Sequence, residues 1–287
     1  MTARFLLLGA LVVLNLVLAW HLVRAAPRFA GDRRPTPGDV VLGFVTAFFD
    51  TLGIGSFAPT TAAFKLRGRP GDALIPGTLN IGTNVAGFTE TMIFVTAVLV
   101  DPALLVCMVA SAAVGAWLGA GVVSRMPLRA IQLCMGCALL IAGCVFAATN
   151  LGALPSGSAA LALGGWRFAL AVVVNFFLGG LMSAGIGLYA PCMIMLALLG
   201  LNPLGAFPIM MASCGLLQPA AGLRFIKSGR FAWGVCVGLS CGGVAGVLLA
   251  AFVVKSLPLV ALRWLVVAVV LYAAGAMLQS ARRTVYA

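Results

Sequence analysis

The sequence predicts an all-α polytopic membrane protein built as an inverted-topology repeat. Each half is expected to be a Gly/Pro-broken hairpin plus three transmembrane helices, with an extra N-terminal helix. Three observations predict this. The 287 residues are 63% hydrophobic and only 8% charged, whereas soluble domains carry roughly 25% charged residues. Several uninterrupted apolar runs are long enough to cross a bilayer. A Gly/Pro motif also occurs twice in one register, in segments whose flanking charges demand opposite orientations. Mean hydropathy is +1.16. The excess of 18 Lys and Arg over 6 Asp and Glu, a net charge of +12, reads as cytoplasmic loops beside anionic lipid and not as a nucleic-acid footprint. A soluble enzyme, a nucleic-acid binder and a disulfide-stapled secreted domain are excluded.

The first apolar run, Phe5 to Leu22, precedes Arg24, Arg28, Arg33 and Arg34. Met1 to Arg4 and the Ala25-Ala26 pair would also suit a signal peptide, but the run is long enough to span and is read as a membrane helix. Further runs cover Val40 to Phe64, Ala73 to Val100, Pro102 to Ser124 and Leu128 to Ala148. A Gly/Ser/Ala-rich linker follows, and then come Phe168 to Leu199, Ala206 to Leu223, Phe231 to Val254 and Leu259 to Leu278. The organisation is therefore an N-terminal helix and basic loop (1–38), repeat 1 (39–149), a linker (150–167) and repeat 2 (168–287).

Loop charges orient these runs. Lys65, Arg67 and Arg69 lie inside, Asp101 outside, Arg125 and Arg129 inside, the nearly uncharged linker with Ser156 outside, and Arg224, Lys227 and Arg230 inside. Both 40–64 and 168–199 must then return to the side they entered from. Each reads as a hairpin of two short helices, which the hydrocarbon tolerates only inside a bundle or beside a water-filled cavity. Arg167, Lys255 and Arg263 are exceptions to the charge rule.

Self-comparison sharpens the picture. Gly53-Ile54-Gly55-Ser56-Phe57-Ala58-Pro59 aligns with Gly185-Ile186-Gly187-Leu188-Tyr189-Ala190-Pro191, and Pro76 aligns with Pro208 at the same offset. One residue of slip brings Gly115 onto Gly246 and Pro127-Leu128 onto Pro258-Leu259. A duplication with opposite orientation preferences is the mark of an inverted-repeat secondary transporter. The glycines allow a sharp turn, and each Pro falls in the first turn of the second arm. Two arms would then begin in the membrane interior with unpaired N–H groups and positive dipole ends, an arrangement suited to an anion. Close helix packing is the plainer use of such glycines.

These residues resemble the sulfite exporter TauE/SafE group, the TSUP family of bacterial membrane transporters. The likeness rests on the two Gly-rich turns running into Pro. It extends to the helices that follow, with Gly77-Thr78-Leu79-Asn80, Gly82-Thr83-Asn84 and Met211-Ala212-Ser213-Cys214, and to Gln218-Pro219 with the tail Arg224 to Arg230. It covers about residues 39 to 280. The family's usual run of three glycines is GIG in both halves here. The resemblance implies a multi-pass protein of the bacterial inner membrane that carries sulfite, a sulfonate or a related small organic anion, driven by protons. It implies no catalysis, cofactor or nucleic-acid partner, and leaves the oligomeric state, a homodimer included, open.

The expected substrate-binding set is Gly53, Gly55, Ser56, Thr60, Asn80, Asn84, Gly185, Gly187, Tyr189, Cys192 and Ser213, with Asn175 as a further amide. Backbone N–H groups and neutral side chains must do the recognition, because no Lys or Arg lies mid-span. Asp50 and Glu90 are the acids inside membrane segments, and neither has a counterpart in the second half: Asp50 aligns with Met182, and Glu90 falls near Ala221 or Gly222. Because an intramembrane acid is costly and a proton carrier need not be duplicated, both are candidates for proton coupling. The Cys134-Met135-Gly136-Cys137 spacing lacks His or acidic partners, so no metal is expected. Cys192 directly follows Pro191, as in membrane thiol–disulfide relays of the CcdA type. That alternative needs a second reactive Cys where the register places Thr60. No Ser/His or paired-carboxylate constellation supports a hydrolase, and His21 is given no role.

Overall fold

A computed structural model describes residues 2–27, 34–53, 55–97, 100–152, 160–185, 187–253 and 259–283. Ile54, Ile186, Arg28, Arg33, Ser156 and Lys255 lie outside the described residues. The all-α class is what the structure shows. Twelve α-helices occur among the described residues: α1 (Thr2–Ala25), α2 (Pro37–Thr51), α3 (Phe57–Arg67), α4 (Ile75–Gly82), α5 (Asn84–Ala97), α6 (Pro102–Val123), α7 (Leu128–Asn150), α8 (Gly165–Ser183), α9 (Tyr189–Leu198), α10 (Pro203–Ser228), α11 (Trp233–Val253) and α12 (Leu259–Arg283). Five stretches, within α1, α6, α8, α10 and α11, are long and apolar enough to cross a membrane. The chain is a membrane protein.

Both apolar runs expected to double back are broken, at Leu52–Ser56 and at Ala184–Leu188. The outer ends of the first pair are joined by an ion pair between Arg67, closing α3, and Asp39, opening α2, at 2.9 Å. Thr36 caps α2 through the Asp39 amide and is itself bonded by the Asp39 carboxylate, a capping box. The outer ends of the second pair meet where the Asn202 N–H donates to the Ala160 carbonyl at 2.7 Å. Two expectations need correction. α8 has 19 residues and is not short. The run from Ala73 to Val100 is not one span, because the helix breaks at Thr83, where the Gln218 amide holds the Thr83 hydroxyl at 3.0 Å.

The loops sort by charge. Arg230 donates to the Met126 carbonyl at 2.9 Å, and Lys65 bonds both Asp72 and Ser280. Arg67, Arg125, Lys227 and the end of α12 therefore gather at one end of the bundle. At the other end the Asp101 N–H donates to Leu161 in the linker.

Packing between helices relies on small residues, because lipid offers no hydrophobic drive to bring helices together. A Cβ on Gly115 of α6 would strike the Phe176 carbonyl of α8, and one on Gly246 of α11 would strike the Phe44 carbonyl of α2. Gly43 abuts the backbone of Leu239, while the Asn175 amide donates to the Met108 carbonyl at 2.8 Å. Outside these pairs, α1 seats Leu11 and Leu18 over Gly215 and Gly222 of α10. Asn15 of α1 accepts from the Asn84 amide at 2.8 Å.

Candidate functional site

The two hairpin tips are built by glycines. Gly53 and Gly55 have φ of 82° and 90°, and Gly185 has 94°. A residue with a Cβ pays about 1–2 kcal/mol in that left-handed region. Gly187 does not adopt it, so the second tip turns on Gly185 where a pair of turn glycines was expected. Gly187 faces the other hairpin with room to spare. A Cβ there would lie 4.0 Å from the Phe57 Cβ, and one on Gly55 would lie 4.0 Å from the Tyr189 Cβ. The tips thus face each other reciprocally, each glycine opposite the first residue of the other hairpin's second arm with room for one added carbon between them. Gly53 also packs under the Phe207 ring of α10, and Gly185 under Leu79 of α4 and Met135.

Asp50 and Glu90 both sit at this junction, buried. Asp50, in the last turn of α2, accepts from the Ser56 hydroxyl at 2.8 Å across the first tip. Glu90, in the middle of α5, has no exposed surface. One of its carboxylate oxygens accepts from Thr51 at 2.9 Å and the other from Tyr189 at 2.9 Å. Glu90 therefore clasps one tip through Thr51 and the opposite tip through Tyr189. Thr51 is the residue that sequence reasoning missed; its one signal was adjacency to Asp50.

The other candidates are buried but spread out. Thr60 and its neighbour Thr61 lie in α3 with hydroxyls that have no hydrogen-bond partner. Asn80 donates to the Pro76 carbonyl at 2.8 Å and points toward Met182. Asn175 also reaches Ser213 at 3.2 Å, joining α8 to α10. Asn84 faces α1 and not the tips. The Oδ1 atoms of Asn80, Asn84 and Asn175 are buried without a donor. Cys192 is a free thiol with no accessible surface, and Cys214 lies 3.6 Å from the Met182 sulfur. Cys134 is half-buried and Cys137 exposed. His21 contacts the Val17 carbonyl one turn back along α1.

No family model matches the chain, and no characterised protein or solved structure matches it. What the site can do is therefore a question for its own residues.

An ionised carboxylate only accepts hydrogen bonds, whereas a protonated one also donates. With Asp50 and Glu90 ionised, the hydroxyls of Ser56, Thr51 and Tyr189 are committed to them, and two negative charges oppose any anion at the tips. Protonation removes that charge and lets the hydroxyl hydrogens turn elsewhere. The candidate donors for an anion become available in the protonated state, beside the unpartnered hydroxyls of Thr60 and Thr61 and the amides opening α3 and α9. Neither helix start has a side-chain cap.

Proposed function

We propose that the protein is a secondary transporter of a small anion, a sulfur oxyanion or organosulfonate such as sulfite, coupled to protons. It belongs on this reading in the bacterial inner membrane and works as two inverted repeats around an anion site between the hairpin tips. The observation that carries the proposal is the junction itself, where two hairpins from opposite ends of the bundle meet at their tips over buried acids. The register that aligns the repeated motif also aligns the contacts. Gly115 against Phe176 corresponds to Gly246 against Phe44, and Gly55 against Tyr189 corresponds to Phe57 against Gly187. Packing of α2 on α11 corresponds in the same way to packing of α8 on α6. These correspondences support a duplication in opposite orientation, the architecture in which rocking of one half against the other alternates access to a central site.

In this reading the anion and the proton arrive together. Glu90 and Asp50 exclude an anion while charged and admit it when protonated, so anion movement carries protons with it. The sulfur chemistry comes from the TauE/SafE resemblance, and the proton coupling from the acids.

The test is uptake into proteoliposomes of sulfite, thiosulfate, sulfoacetate and carboxylates, with and without a pH gradient. Glu90→Gln keeps the shape of a protonated acid. It should sustain anion counterflow while losing accumulation against a pH gradient. Full gradient-driven accumulation by Glu90→Gln would remove Glu90 from coupling, and absence of any anion flux in wild type would remove the transport reading.

A further inference from the structure

At the basic end of the bundle, a cavity of about 290 Å³ lies between the α6–α7 turn and the end of α10. It is lined by Gly121, Ser124, Arg125, Arg224, Lys227 and Ser228. A second cavity of about 520 Å³ adjoins it, sharing Gly121, Arg125 and Arg224 and adding the apolar Leu118, Val122, Met126 and Pro127. Together they make one groove, cationic at one end and apolar at the other.

Three features make this more than a solvated basic loop. First, no acidic residue lines either cavity, although three cations do. The salt bridges formed among the described residues use Lys65 and Arg67 and leave Arg125, Arg224 and Lys227 out. Second, the guanidinium of Arg224 is held in place, its carbon 3.6 Å over the Trp117 ring and against Gly121. Its Nε is buried and has no hydrogen-bond partner, a cost that a bound acceptor would relieve. Third, the apolar end opens to the outside of the bundle: Val122 is 64% exposed and Leu118 47%. Trp117, itself 43% exposed beside Arg224, sits as tryptophans do at the boundary between headgroups and hydrocarbon.

The Ser124 and Ser228 hydroxyls already donate to carbonyls of their own helices, so the cations must do the recognition. Planar guanidinium groups with a nearby ammonium match a phosphate oxyanion. A free phosphate would use only the cationic end. From the continuous apolar flank we infer that the groove is a binding site for an acidic phospholipid. Its headgroup phosphate would lie among Arg125, Arg224 and Lys227, and an acyl chain would run along Leu118 and Val122 of α6. The site is independent of the anion site at the hairpin tips.

The test uses full-length protein in detergent and phosphatidylglycerol with brominated acyl chains, which quench tryptophan fluorescence on contact. The component lost on Trp117→Phe reports the groove. Brominated phosphatidylglycerol should quench it at lower lipid fractions than brominated phosphatidylcholine. Lys227→Gln and Arg125→Gln, both at exposed side chains outside the salt bridges among the described residues, should each weaken that preference about fivefold, the effect of removing one cation near an anionic headgroup. Arg282→Gln, an exposed cation at the end of α12, should leave the preference unchanged. Equal quenching by the two lipids would overturn the proposal, as would an equal loss in Arg282→Gln. Displacement of the brominated lipid by millimolar inorganic phosphate would overturn the lipid assignment and leave a soluble phosphate in its place.

Discussion

Tyr189→Phe is the most informative single change at the junction. It removes one hydroxyl and no volume that packing needs, leaving one oxygen of Glu90 without its donor at 2.9 Å while the Thr51 bond at 2.9 Å remains. A hydrogen bond to an ionised group is worth about 1.5–3 kcal/mol, and one between neutral groups about 0.5–1.5 kcal/mol. The loss in Tyr189→Phe therefore reports the charge on Glu90. Unfolding free energies measured by SDS titration in mixed micelles should fall by about 1.5–3 kcal/mol where Glu90 is ionised and by about 0.5–1.5 kcal/mol where it is protonated, so a pH series reads its charge state. In the Glu90→Gln background, Tyr189→Phe should cost only about 0.5–1.5 kcal/mol at any pH, and the difference between backgrounds is the coupling energy of the pair. A loss below about 0.5 kcal/mol in the wild-type background, with no pH dependence, would mean that Tyr189 and Glu90 do not clasp the two tips.

Other consequences can be checked without knowing the substrate. Gly53→Ala places a Cβ in left-handed backbone and against the Phe207 ring, and should cost about 1–2 kcal/mol in the same titration; Gly187→Ala should stay within about 0.5 kcal/mol. Gly115→Val and Gly246→Val each drive side-chain carbon into a facing carbonyl and should lower stability by similar amounts, of about 1–3 kcal/mol or more. Markedly unequal losses would argue against the correspondence of the α6–α8 and α2–α11 seams. Cysteines placed at Lys65 and Lys227 in a cysteine-free background should label from the cytoplasm and one at Asp101 from the other side, and labelling of Asp101 from the same side as Lys65 would undo the assigned orientation.

Much of this was legible because a few residues carry unusually strong physical constraints. Charges in so apolar a chain are costly to bury, so Lys65, Arg125 and Lys227 marked one end of the bundle before any helix was placed. The same rule forced the doubling back of 40–64 and 168–199. Glu90 stood out as an acid in an apolar run. What stayed hidden depends on side chains meeting from distant parts of the chain. Threonine is tolerated in apolar helices, so nothing distinguished Thr51 until α5 brought Glu90 beside it. The break at Thr83 has no Pro to announce it, and Gln218 reaches it from α10. Gly187 repeats Gly55 in sequence yet not in backbone conformation, since spacing records residue identity and not the φ the chain adopts. Asn84 looked like a ligand-binding amide because its partner, Asn15, lies on a helix outside the repeat.

That outlying helix carries a consequence for how the protein is made. The stretch from Met1 to Ala26 has the outline of a secretory leader, down to the small residues where a peptidase would cut. Yet Ala25 is 5% exposed, and Leu11 and Leu18 are pressed onto glycines of α10 while Asn15 satisfies Asn84. Once docked, the helix turns Ala25 inward and leaves Ala26 half-exposed. Removing it would strip the cover from Gly215 and Gly222 and leave a side-chain amide facing hydrocarbon.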